Sequence, residues 1–124
     1  MTTERTLEIV RAYYDSWKNG IERFDEARLC SVLSPKVRFE SPLGRREEAA
    51  PLVEAIARFA KALKQVDFHQ TLAASDEAAV IYDCQLTWPV DVLRCAEFFR
   101  VEGHRITSIR LVFDATEYRK AAMP

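Results

Sequence analysis

A glutamate lies in the middle of a segment whose pattern predicts a buried strand. Over residues 93–101 the side chains alternate, so that Cys95, Glu97, Phe99 and Val101 share one face, which is apolar except for Glu97. Burial disfavours a charged carboxylate, so the pKa of Glu97 should rise, and a carboxylic acid that keeps its proton can donate a hydrogen bond to a developing oxyanion. The alternative is that Glu97 lies at a wet edge or pairs with an arginine.

Other polar side chains fit structural roles better than catalytic ones. His69 follows Asp67 and precedes Thr71 on a predicted strand, where a surface or interface position is favoured over a catalytic base. Asp114 could reach a pocket mouth, but its position favours helix capping. Cys84 and Cys95 are predicted to be apolar core fillers.

The composition predicts one globular domain over residues 1–124. Apolar residues make up 48% and charged residues 30%, and the net charge is −1. The lack of a basic field argues against nucleic acid and anionic membranes as partners. The apolar runs are too short to cross a bilayer, and the first residues contain no apolar signal-peptide core.

The sequence predicts no cofactor and no metal. The three cysteines are odd in number and lack Cys-x-x-Cys spacing. This pattern is typical of reduced thiols and indicates a cytoplasmic protein. The two histidines, His69 and His104, lack the paired spacing of zinc ligands. The three glycines form no phosphate-binding loop.

Three helices are predicted in the first half of the chain. The first carries apolar residues at helical spacing through Trp17, with a cap at Thr2 or Thr3 and a stop at Gly20. The second starts near residue 25 and is expected to end at Pro35. The third covers residues 47–64 and has an apolar face at spacing i, i+3, i+4, i+7.

Strands dominate the second half. One short strand is predicted at residues 36–40, then longer ones at 66–74, 79–88, 93–101 and 104–113, followed by a short capped helix. This order indicates an α+β fold in which a curved sheet wraps around a long helix and encloses an apolar pocket. Predicted pocket-lining residues are Trp17, Phe39, Phe59, Tyr82, Leu86, Trp88 and Phe99.

Five segments in order resemble one known superfamily. They are VRAY at residues 10–13, ESPLG at 40–44, DEAA at 76–79, EFFRVEG at 97–103 and ITSIRLVF at 106–113. The chain resembles the nuclear transport factor 2 (NTF2)-like superfamily, and within it the ketosteroid isomerase and SnoaL-like polyketide cyclase group. The resemblance implies the cone-shaped, cystatin-like fold with a mixed or antiparallel sheet.

The resemblance also implies a site. Ketosteroid isomerases use a tyrosine and a protonated acid as an oxyanion hole and a carboxylate as base. These positions fall on Tyr13, Glu97 and Ser41. A serine hydroxyl is a very poor base at neutral pH, and strand alternation places the neighbouring Glu40 on the opposite face unless a bulge turns it inward.

Two classes of function follow from the sequence. The first is an isomerase-, cyclase- or dehydratase-like enzyme acting on an apolar or aromatic carbonyl compound. The second is a non-catalytic module for ligand binding or dimerisation. Epoxide hydrolysis would need two inward carboxylates. A homodimer is expected through the outer sheet face, which carries Phe98, Arg110 and Val112.

Overall fold

Two helices begin at side-chain caps in the computed structural model, which describes residues 2–122. The helices are α1 (Thr3–Asp15), α2 (Glu26–Val32), α3 (Ala49–Ala62) and α4 (Thr116–Ala122), with a short 3-10 turn at Ile21–Arg23. The Thr2 hydroxyl caps α1 by accepting from the Arg5 N–H at 3.1 Å. Asp25 caps α2 in the same way through Arg28 at 3.0 Å.

Two predicted helix ends were wrong. Gly20 does not stop α1, which already ends at Asp15; it precedes the 3-10 turn instead, with a φ of +89°. A Cβ there would lie 3.4 Å from the Leu63 carbonyl oxygen, so glycine suits both the dihedral and the close approach. Pro35 does not end α2 either, because the helix stops at Val32 and Pro35 lies inside the following strand.

Six strands form one curved, mixed sheet in the order β2-β1-β6-β5-β4-β3. They are β1 (Leu33–Ser41), β2 (Gly44–Arg46), β3 (Leu63–Ala74), β4 (Glu77–Leu86), β5 (Val92–Glu102) and β6 (Arg105–Val112). β1 and β6 pair in parallel and the other neighbours are antiparallel. The α+β prediction is therefore confirmed.

The sheet departs from the prediction in several places. β3 begins at Leu63 rather than at residue 66, because α3 ends at Ala62 rather than at residue 64. β1 begins at Leu33 rather than residue 36, and it tolerates Pro35 because its register with β6 shifts between Leu33 and Arg38. β2 was missed because three residues are too short for a periodic signal. Trp88 lies beyond the end of β4 and is 59% exposed, so its predicted place on the inner face was wrong.

The core fills the space between the helices and the inner face of the sheet. Along β5 buried and exposed side chains alternate as predicted, with Cys95, Glu97, Phe99 and Val101 inward. The largest apolar side chains of the core that are almost fully buried are Ile9, Leu29, Leu33, Leu52, Leu86, Ile106 and Ile109. Within residues 2–122, no helix combines the length and apolar character needed to span a membrane.

Candidate functional site

Glu97 is 1% exposed and accepts hydrogen bonds from tyrosine hydroxyls. Its Oε1 lies 2.7 Å from the hydroxyl of Tyr14 and 2.6 Å from that of Tyr82. Its Oε2 lies 3.1 Å from the hydroxyl of Tyr13. The three tyrosines and Glu97 are called the carboxyl cluster below.

Two elements besides β5 build the carboxyl cluster. Tyr13 and Tyr14 are consecutive residues of α1, about 100° apart around the helix, so they reach different oxygens of one carboxyl group. Tyr82 pairs with Cys95 across β4 and β5, which makes it the diagonal neighbour of Glu97 on the inner face. Their rings also pack edge to face: Tyr14 lies 5.1 Å from Tyr13 and 5.3 Å from Tyr82.

Burial sets the protonation of the carboxyl cluster. Burial raises the pKa of Glu97 above its usual 4.5, and the three tyrosine hydrogen bonds oppose part of this rise. Burial and then the Glu97 charge raise the pKa values of Tyr13 and Tyr14 far above the usual 10. The pKa of Tyr82 is raised for the same reasons. All three tyrosines therefore stay protonated at neutral pH.

The number of protons decides what the carboxyl cluster can offer a ligand. With Glu97 ionised, each tyrosine spends its one proton on the carboxylate, and the cluster has no free donor. With Glu97 protonated, four protons serve three internal hydrogen bonds, so one O–H can point outward. Protonation of Glu97 thus converts a saturated acceptor into a donor.

Trp17 supplies a second polar group beside the carboxyl cluster. It follows α1, is 3% exposed, and its ring packs edge to face on Tyr13 at 5.9 Å. Its indole N–H has no hydrogen-bond partner among residues 2–122. The indole lies close enough to Tyr13 to oppose part of the rise in the pKa of that tyrosine. A buried N–H without a partner costs stability.

A cavity of about 200 Å³ opens beside the carboxyl cluster. Its polar members include Tyr13, Glu97, Ser41 and Arg46. The rest of its wall is mainly apolar or aromatic: Trp17, Phe39, Leu43, Leu52, Ala55, Ile56, Phe59, Tyr82, Leu93, Cys95, Leu111, Phe113 and Tyr118. A wider groove of about 400 Å³ runs between α1, β3 and β4, where Tyr14 forms part of its wall. Glu97 faces the smaller cavity, so the chemistry belongs there.

The structure brings together most of the residues that the sequence singled out. Tyr13, Glu97 and Ser41 line the cavity, and so do Trp17, Phe39, Phe59 and Tyr82. Phe99 and Leu86 are buried in the core behind it. Trp88 lies outside on the surface. Catalytic or binding roles for these residues remain predictions.

The residues near the predicted base position do not provide a base. The Ser41 hydroxyl accepts a hydrogen bond from the Leu43 N–H at 3.1 Å, which forms a turn between β1 and β2. Glu40 is exposed on the outer face, where it lies opposite Arg45 in β2 and Arg110 in β6 in the strand register. Among residues 2–122, Glu97 is the only carboxyl group that lines the cavity.

The other polar candidates lie away from the cavity. His69 is 2.8 Å from Asp83, whose pKa is lowered by Arg94 and then by His69. Asp114 accepts from the N–H of Thr116 at the start of α4. Within residues 2–122, no three His, Cys, Asp or Glu side chains are grouped as a metal site requires, so we assign no metal ligands.

Sequence reasoning missed two parts of the site. The first is the pair of hydroxyls of Tyr14 and Tyr82, because Tyr14 was counted only among the apolar residues of the first helix and Tyr82 only as a pocket-lining ring. The single signal for them was the number of tyrosines on inward faces. The second is Arg46, which belongs to the strand that was missed.

Comparisons with known proteins agree with this architecture. The SnoaL-like domain family matches residues 10–109. No curated protein matches the sequence. An NTF2-like protein of unknown function from Cytophaga hutchinsonii superimposes with a TM-score of 0.76 at 16% identity, covering 92% of this chain and 94% of that chain.

Two further solved structures have names that state an activity. A candidate ketosteroid isomerase from Kribbella flavida has a TM-score of 0.76 at 22% identity, covering 90% of this chain and 79% of that chain. An epoxide hydrolase from M. tuberculosis has a TM-score of 0.75 at 18% identity, covering 95% of this chain and 89% of that chain. At such identities these likenesses establish the fold alone.

Proposed function

Because the chain belongs to the SnoaL-like domain family and has the NTF2-like fold, we propose that its cavity binds a small aromatic or apolar molecule through an oxygen atom of that molecule. The observation that carries the proposal is the buried Glu97 with its tyrosine donors at the wall of an apolar cavity. The protonated carboxyl cluster donates one hydrogen bond to the ligand oxygen.

The size of the cavity selects the ligand. Its volume of about 200 Å³ is below the range of roughly 300–1,000 Å³ that drug-sized ligands occupy. A protein cavity of about 150 Å³ can hold benzene. A compound with one ring, such as a phenol or an enone, therefore suits this cavity better than a steroid.

A second candidate function is enolisation or cyclisation of a carbonyl compound. It is favoured by the 3.1 Å contact between Tyr13 and Glu97, the two positions that match the oxyanion hole of ketosteroid isomerases. Proton abstraction from carbon also needs a base in reach, and Ser41 is a poor one. Epoxide hydrolysis would need a second carboxylate. Binding with polarisation of the ligand oxygen is therefore the primary proposal.

We also propose a homodimer that forms through the outer face of the sheet. Ile81, Phe98 and Val112 are 39%, 49% and 55% exposed. Ile81 and Val112 lie on one rung through Ala96, and Phe98 is two residues along β5 on the same face. Adjacent exposed apolar side chains of this kind mark interaction surfaces.

Calorimetric titration with phenol tests the binding proposal. We expect binding to weaken by roughly 5- to 30-fold in Tyr13→Phe and in Glu97→Gln, which corresponds to the loss of about 1–2 kcal/mol of hydrogen bonding. Tyr118→Phe is the matched control, because it removes a hydroxyl from the same cavity without touching Glu97. Unchanged affinity in the combined Tyr13→Phe and Glu97→Gln variant would contradict the proposal.

A further inference from the structure

Arg46 lies on the cavity side of the short edge strand β2. It pairs with Phe39 across β1 and β2, and directly opposed residues of antiparallel strands share a face. Phe39 faces inward and lines the cavity, and Arg46 lines it as well. The neighbouring Arg45 pairs with Glu40 and therefore belongs to the outer face.

The guanidinium of Arg46 has no partner in the part of the chain that the structure describes. Among residues 2–122 it forms neither an ion pair nor a side-chain hydrogen bond, although its side chain is half-buried. Several other arginines have such partners: Arg94 contacts Asp83 at 2.6 Å, and Arg100 contacts Glu77 at 2.9 Å. A partly desolvated cation beside an apolar cavity is stabilised when an anion enters.

Arg46 and the carboxyl cluster approach the cavity from different parts of the sheet. The rung that contains Arg46 continues through Phe39 and Ile109 to Phe99, which is two residues from Glu97 on the same face of β5. Three strand spacings separate β2 from β5, or about 14 Å between backbones in a flat sheet. Curvature and the inward reach of both side chains shorten that gap, and both side chains line the same cavity of about 200 Å³.

From this arrangement we infer that the ligand is a small aromatic or alicyclic carboxylate. The hydroxyl or carbonyl oxygen attached to its ring contacts Tyr13 and Glu97, and its carboxylate pairs with Arg46. The inference rests on the proposed function, since it concerns the same cavity. A planar guanidinium binds a carboxylate through two parallel hydrogen bonds, which explains why an arginine suits this position.

Matched ligands isolate the contribution of the carboxylate. The probes are 4-hydroxybenzoate and 3-(4-hydroxyphenyl)propionate, which place the charge at two distances from the phenol, together with their neutral methyl esters. In the unaltered protein, at least one acid should bind roughly 10- to 100-fold more tightly than its ester, the range for hydrogen bonds to charged groups. Added salt should reduce this preference.

Two arginine variants locate the effect. Arg46→Gln should abolish the preference for the acid and leave ester binding intact. Arg45→Gln is the control, because it removes the same charge from the adjacent residue on the outer face. An equal loss in both variants would assign the effect to the general field of the protein and overturn the inference.

Failure of the inference is distinguishable from failure of the proposed function. If phenol and the esters bind in a manner that depends on Tyr13 and Glu97, but neither acid is preferred, only the carboxylate assignment is wrong. If none of these compounds binds, the proposed function is wrong too.

Discussion

Replacing Tyr14 by phenylalanine removes one of the two hydroxyls that donate to Glu97 Oε1 and keeps the ring. Tyr14 forms part of the wall of the groove between α1, β3 and β4 rather than of the ligand cavity. The substitution therefore measures what the carboxyl cluster contributes to stability without altering the ligand's surroundings.

The cost of Tyr14→Phe should depend on pH. A hydrogen bond to a neutral group contributes about 0.5–1.5 kcal/mol, and one to a charged group about 1.5–3 kcal/mol. Burial raises the pKa of Glu97 above its usual 4.5, so the carboxyl of the folded protein becomes charged only as pH rises through that raised value. The loss of unfolding free energy should thus be larger by about 1 kcal/mol above that raised pKa than below it.

Urea unfolding over a series of pH values measures this difference, provided that the slopes of the two proteins agree. Tyr118→Phe is the control, since its hydroxyl forms no hydrogen bond to Glu97. We expect that change to alter stability by less than about 0.5 kcal/mol, independently of pH. If the cost of Tyr14→Phe did not change with pH over the series, Glu97 would not change its charge, and the proton count of the carboxyl cluster would be refuted.

Three further predictions concern Glu97, Ser41 and Phe98. The folded protein holds the Glu97 proton more tightly than the unfolded chain, so stability should fall as pH rises from about 4.5 through the raised pKa, and urea unfolding of Glu97→Gln should lack this fall. An unaltered fall would assign it to other groups. Ser41→Asp should raise the isomerisation of a small enone, followed by absorbance, by roughly 10²- to 10⁴-fold, because aspartate can keep the turn to Leu43 and add a base; no gain would argue against the site. Phe98→Glu should convert the proposed homodimer into a monomer in light scattering, whereas a monomeric unaltered protein would contradict the dimer.

The sequence determined which faces of the main elements are apolar. Alternation along residues 93–101 placed Glu97 on the inner face, and the structure confirms its burial. Helical spacing and the expected cap at Thr2 or Thr3 predicted α1. Strand alternation placed Glu40 outward. These features depend on neighbours only a few residues apart, so a local pattern is enough to predict them.

Local patterns failed where an element was short or where its end decided the outcome. Trp88 continues the alternation of β4, but the strand ends two residues earlier and leaves the ring exposed. β2 has three residues, so Arg46 gave no signal of facing a cavity. Pro35 is typical of a helix end, yet the irregular register between β1 and β6 accommodates it within a strand.

Only the tertiary structure decided which polar groups meet. Tyr13 and Tyr14 lie 84 and 83 residues before Glu97, and Tyr82 lies 15 residues before it. A hydroxyl on an apolar face must find some partner, but its sequence neighbours do not identify that partner. The packing of α1 against β4 and β5 makes the choice, because it brings three donors within 3.1 Å of one carboxyl group and leaves the Trp17 N–H without a partner among residues 2–122.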